Sequence, residues 1–248
     1  MSTITYLCLS IILIHGTKPA EIQKAVGNAD GFRPNVHKYL VKLYIDEFNS
    51  ATLDYSHFVC SGSIIHKRWI ISAAHCLSGD VTKIEILRQI GSKEKVLGFG
   101  IKYANHPDYI DSPEVDFYND QNDLALVKTQ KAIKLNKRIQ PIALARFRAF
   151  GEQAIVAGYS SGTPLEGTVV VKRCKSPPGT RMLCTQGHGH WAYLENGDSG
   201  GALITDDGLV GVASARLEDN VSLFVDISIH IDWIQEVTGK KLVNKTLT

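Results

Sequence analysis

Asn196-Gly197-Asp198-Ser199-Gly200-Gly201 decides how this chain of 248 residues is read, because two stretches upstream supply what would make Ser199 a nucleophile. Ser72-Ala73-Ala74-His75-Cys76 offers a histidine beside a cysteine, and Asn122-Asp123-Leu124-Ala125-Leu126-Val127 an aspartate at the start of an apolar strand. A serine hydroxyl is a weak nucleophile until a neighbouring imidazole takes its proton, and that imidazole needs a buried carboxylate to fix its tautomer. Each stretch alone has a plainer reading. Asp and Ser among glycines make turns, His75 with Cys76 reads as a packed core pair, and Asp123 as a strand cap. The three together, in the order His, Asp, Ser, point to one nucleophilic site.

Composition fits a globular chain with a sizeable core, at 44% hydrophobic and 21% charged residues. All-β barrels of such length are routinely one structural domain. The formal net charge is +2, and no dense Lys/Arg run interleaves with aromatics, so nucleic-acid binding is not expected. Residues Ile4 to Ile14 form an apolar run too short to span a bilayer. It reads as the core of a secretory signal ending near residue 16, although no Lys or Arg precedes it. No later segment has the length and apolarity of a transmembrane helix, so no membrane partner is expected. Of five cysteines, Cys8 leaves with the signal. Cys60, Cys76, Cys174 and Cys184 remain, an even number suited to a secreted, extracellular chain. Four cysteines allow three pairings, and spacing does not choose among them. Asn220 and Asn244 lie in glycosylation sequons.

After residue 25 the chain alternates short β-rich runs with Gly, Pro, Asn and Asp clusters: Tyr39–Ile45, Ser63–Ile65, Trp69–Ser72, Ile84–Ile90, Leu124–Val127, Ala154–Ala157, Val169–Lys172, Leu209–Ala213 and Leu223–Ile227. Many short strands with turns between them predict a sandwich or barrel. Helical spacing is confined to Ile231–Val237, and His106–Asn122 reads as a polar surface loop. Gly187-His188-Gly189-His190-Trp191 carries two histidines without a third ligand, and no metal or other cofactor is expected.

The three motifs, in that order, resemble the trypsin/chymotrypsin-like serine peptidase family from about Ala25 to the C-terminus. The resemblance implies an all-β fold of two six-stranded antiparallel barrels, with the active site in the cleft between them and a C-terminal helix. It divides the chain into a signal peptide (1–16), an activation propeptide (17–24) and a peptidase domain (25–248). It implies disulfides Cys60–Cys76 and Cys174–Cys184, catalysis by His75, Asp123 and Ser199, and an oxyanion hole from the N–H groups of Gly197 and Ser199. Cleavage between Lys24 and Ala25 by an activating protease would free an N-terminus that pairs with Asp198. Expected partners are protein or peptide substrates, the activating protease and protein protease inhibitors.

Several positions depart from the family pattern. Ala25 stands where Ile or Val is usual, which removes apolar burial on the order of 1–2 kcal/mol. In the specificity pocket Tyr193 takes the place of the base residue, and the wall reads Ser214-Ala215-Arg216, with Arg216 where Gly keeps the mouth open. Arg216 either obstructs the pocket, favours an acidic substrate side chain through a bidentate pair, or swings into solvent. Glu195 occupies one position of the disulfide that usually braces this pocket, and no cysteine follows Cys184. Lys175-Ser176-Pro177-Pro178-Gly179 replaces a longer helical loop. These departures keep a second reading in view, a catalytically impaired relative that acts by binding another protein. The order of the three residues argues against an esterase or lipase on another fold.

Overall fold

The computed structural model describes residues 32–111, 121–174, 181–187, 193–217 and 221–242. The expectations placed on Lys24, Ala25, Asn220, Asn244, the 175–179 stretch and His188 and His190 lie outside them. Strands β1 (Leu40–Asn49), β2 (Asp54–His66), β3 (Trp69–Ser72), β4 (Val81–Ile90), β5 (Lys93–Asn105) and β6 (Ala125–Thr129) close into one barrel, in the order β1-β2-β3-β6-β5-β4. Strands β7 (Gln153–Gly158), β8 (Leu165–Arg173), β9 (Leu183–Gly187), β10 (Ala202–Thr205), β11 (Gly208–Arg216) and β12 (Val221–Asp226) close into a second, in the order β10-β11-β12-β9-β8-β7. Closure leaves neither of these barrels with an open sheet edge among the described residues.

Why these stretches form strands is visible in their burial. Along β1, Leu43 and Ile45 are buried while the residues between and after them are half-exposed, the period of a strand with one face on a core. β3 is buried at all four residues because it runs between β2 and β6. The first core gathers Leu43, Ile45, Ile64, Ile70, Ile86 and Leu126, and the second Val156, Val169, Val171, Leu203, Val210 and Phe224. Each such side chain contributes about 1.5–3 kcal/mol by leaving water. Helix α1 (Ile231–Thr238) packs Ile234 inward and turns Trp233 against His106, with ring centroids 4.8 Å apart.

The nine runs marked in the sequence all fall in or on strands, and the expected helix is present, one residue longer. Leu223–Ile227 ends earlier, at Asp226, whose carboxylate accepts the Ser228 N–H (2.9 Å) and bends Ile227 into a 3₁₀ turn. β5, β9 and β10 were not marked. β5 is charged, glycine-bearing and largely exposed, and β10 has only four residues, so neither carries an alternating signal of useful length. The expected loop at 106–122 is anchored at its base, where the His106 N–H donates to the Leu124 carbonyl (2.8 Å).

Both disulfides form as the resemblance implied. Cys60–Cys76 ties β2 to the turn after β3, and Cys174–Cys184 ties the end of β8 to β9. The first closes a 16-residue separation.

Candidate active site

The register of β3 against β6 brings His75 and Asp123 together. Ser72, the last residue of β3, pairs with Ala125, the first of β6, so the turn leaving one strand and the residues entering the other share one barrel edge. The His75 backbone N–H donates to Asp123 Oδ1 (2.8 Å), and its Nδ1 lies 2.8 Å from Asp123 Oδ2. A carboxylate only accepts, so Nδ1 is the protonated nitrogen and Nε2 of the neutral ring carries the lone pair. Ser214 Oγ donates a third hydrogen bond to Asp123 Oδ2 (2.6 Å). Ser214 reaches it because the β11–β12 pairing shifts register between Ala213 and Ala215, a bulge that turns the intervening side chain toward the first barrel. Asp123 is buried, and burial alone would push its carboxyl up. The facing His75 and the accepted hydrogen bonds outweigh this and hold it below its ordinary value.

Ser199 sits on the loop entering β10, across a cavity of about 450 Å³ whose lining includes His75, Gly197, Ser199, Phe58, Cys60 and Gly162. Ser61, on β2, clamps this loop to the first barrel. Its N–H donates to the Ser199 carbonyl (2.7 Å), and its Oγ donates to the Gly197 carbonyl (2.7 Å) while accepting the Tyr159 N–H (2.7 Å). The Ser61 carbonyl in turn accepts from Ser72 Oγ (2.7 Å). Gly197 and Gly200 have φ of +97° and +78°, backbone that L side chains rarely adopt. A Cβ on Gly200 would also lie 2.2 Å from Ser72 Oγ. Between them, the Asp198 side chain points away from the cavity into a slot beside Gly158, where a Cβ would lie 2.4 Å from Asp198 Oδ1.

Asp198 is fully buried, and its Oδ2 accepts the Glu195 N–H (3.1 Å). Its Oδ1 has no hydrogen-bond partner among the described residues. Burial first, with the nearby Glu195 charge adding to it, pushes this carboxyl up to about 7, despite the bond from Glu195 N–H.

At the specificity positions, Tyr193 is buried and the exposed Arg216 lays its guanidinium over the Tyr193 ring, 4.8 Å from the centroid. Arg216 is thus both exposed and stacked on Tyr193. Among the described residues one group of three potential metal ligands lies close together, Cys60, His75 and Cys76, and its two sulfurs are spent in the disulfide. Sequence reasoning did not single out Ser61, whose partners lie 98 and 136 residues away. Its only mark is its place beside Cys60.

The family model for trypsin matches residues 28–234. Snake venom serine protease 2B of Craspedocephalus gramineus is 26% identical, over 92% of this chain and 92% of that protein. Trypsin-1 of Salmo salar is 26% identical, over 90% of this chain and 95% of that protein. Among solved structures, HL collagenase superposes with a TM-score of 0.68 at 23% identity, over 85% of this chain and 97% of that one. Mouse neuropsin, a serine protease, superposes with a TM-score of 0.68 at 21% identity, covering 84% and 99%. The two closed barrels and the match across most of the chain make this protein a member of the trypsin-like serine peptidase family.

Proposed function

We propose that this chain is a secreted serine endopeptidase made as a zymogen, with His75, Asp123 and Ser199 as its catalytic residues. The observation that carries the reading is the His75–Asp123 contact of 2.8 Å at a cavity that Ser199 also lines. In this reading Nε2 of His75 takes the proton of Ser199 Oγ as that oxygen attacks the scissile carbonyl, and then delivers it to the leaving amine. Asp123 stabilises the imidazolium, and Ser214 keeps the carboxylate ionised and oriented. The N–H groups of Gly197 and Ser199 receive the oxyanion, each worth a few kcal/mol of transition-state stabilisation. Among the described residues neither N–H is spent on another acceptor, which supports this assignment. Water attacking through the same base then releases the acyl group from Ser199.

One observation supports the zymogen and another the secretion. The orphaned Asp198 Oδ1 has the chemistry of a socket for a cation, and the resemblance supplies one in the amine freed at Ala25. The disulfides fit an oxidising, extracellular compartment. Arg216 over Tyr193 makes the primary pocket unlike that of enzymes that accept Lys or Arg, and it favours the second reading, a binding protein with a plugged pocket. A fluorophosphonate probe separates the two. Labelling that appears after cleavage at Lys24 and vanishes in Ser199→Ala is the result expected of the peptidase. No labelling after confirmed cleavage would favour the binding protein.

A further inference from the structure

The formal net charge of +2 is unevenly spread. Between Asp123 and Glu152 the chain carries Lys128, Lys131, Lys134, Lys137, Arg138, Arg146 and Arg148 and no carboxylate. The fold lays most of this segment beside two other basic stretches. The Arg68 carbonyl accepts the Thr129 N–H (3.0 Å) and the Lys67 carbonyl accepts the Ile133 N–H (2.7 Å), which seats the turn His66-Lys67-Arg68 alongside residues 128–133. Lys240 follows helix α1 and acts, with Lys67, on the His66 imidazole, whose pKa is lowered by burial first and by these two ammonium groups next. The far end of the segment is braced by Asn136: its side chain accepts the Arg138 N–H (2.8 Å) and its carbonyl the Gln140 side-chain amide (2.7 Å). The Gln140 N–H then donates to the Lys38 carbonyl (3.1 Å). Lys67, Lys131, Lys134, Lys137, Arg138, Lys240 and Lys241 are all exposed. Among the described residues, none of them is within 4.0 Å of a carboxylate. The ion pairs of this structure use Arg33, His37, Lys42, His75, Lys83 and Arg148 instead.

We infer that this stripe, running from Lys240 and Lys241 across Lys67 and Lys131 to Lys134, Lys137 and Arg138, binds a linear sulfated polysaccharide. Like charges crowded on one face repel, and a polyanion that spans them releases its condensed counterions on binding. Lysine ammoniums are point charges that engage sulfate groups without a fixed fork geometry. Single-stranded nucleic acid would call for aromatic platforms, and Trp69, beside Lys67 and Arg68, is buried with Lys128 over it at 5.6 Å. A membrane surface would call for an apolar edge, and among the described residues the large exposed aliphatic here is Leu135 alone. None of these cations lines the cavity of His75 and Ser199, so the inference stands whether or not the peptidase reading does.

The test is retention of the full chain on immobilised heparin. The expected result is retention at 150 mM salt, with affinity falling about a thousandfold between 50 and 200 mM salt. Replacing Lys67, Lys131, Lys134 and Lys137 together by Gln should put the protein in the flow-through with its circular dichroism and melting temperature unchanged. Replacing Lys83, Lys93, Lys95 and Lys102 removes the same charge elsewhere and should leave retention intact. Flow-through of the unaltered chain, or equal loss in both quadruple variants, overturns the inference. So does tighter binding to duplex DNA or to phosphatidylserine vesicles than to heparin.

Discussion

Replacing Asp198 by Asn in the uncleaved chain is the sharpest perturbation the structure offers. The carboxylate is 0% exposed, one of its oxygens has no partner among the described residues, and burial pushes its pKa to about 7 from an ordinary 3.8. An acid whose folded value is raised binds its proton more tightly folded than unfolded. Its ionisation therefore removes stability as pH rises from about 4 through about 7, and the loss is complete above that. A gap of about 3 between the two values, at 1.36 kcal/mol each, makes the ionised group cost about 4 kcal/mol at pH 8. The amide has nearly the same shape, keeps an oxygen for the Glu195 N–H and never ionises. Asp198→Asn should therefore raise the melting temperature at pH 8 by roughly 8–16 °C, at about 2–4 °C per kcal/mol for a chain of this size. At pH 4 the two proteins should melt together. Calorimetry of both proteins at the two pH values decides it: an equal shift at both, or a lower melting temperature at pH 8, refutes the reasoning. In the cleaved protein the sign reverses, because the amide offers no charge to the Ala25 amine, and peptidase activity should fall.

Three further outcomes follow from the site. Ser61→Ala orphans the part-buried Gly197 carbonyl and the buried Tyr159 N–H, which should cost about 2–4 kcal/mol and lower kcat more than it changes KM; unfolding and steady-state kinetics measure both. Asp123→Asn leaves Ser214 a partner but no longer holds the Nδ1–H tautomer of His75, so kcat should drop on the order of 10⁴-fold with Ser199 still in place. Activity recovering at high pH in that variant would mark the tautomer as the cause, while unchanged kcat would remove Asp123 from the machinery. Arg216→Gly takes the guanidinium off the Tyr193 ring, so turnover on a broad peptide library should rise, and unchanged kinetics would show that Arg216 does not obstruct the pocket.

Much of the fold was legible because its signals are local. Apolar runs bounded by turn residues marked nine of the twelve strands among the described residues, and the missed ones show where that signal fails. β5 holds its place through pairing with β4 and β6 while exposing Val96, Phe99 and Ile101, so its own pattern does not announce a core face. At the site, His75, Asp123 and Ser199 were legible through their neighbours in sequence. Ser61 was not, since a serine in a strand acquires meaning only from what the barrel closure sets opposite it.

The sequence by itself determined the chemical inventory, its order along the chain and hence the family, because His75, Asp123 and Ser199 each sit in a short motif that local chemistry makes readable. Tertiary structure alone decided how those groups are held. The β3–β6 register puts His75 against Asp123, a bulge turns Ser214 onto the same carboxylate, Ser61 ties the Gly197–Ser199 loop to the opposite barrel, and Asp198 is left buried with one oxygen unpaired among the described residues. Burial and long-range register are properties of two closed barrels packed together, and no stretch of residues carries them before the chain has closed.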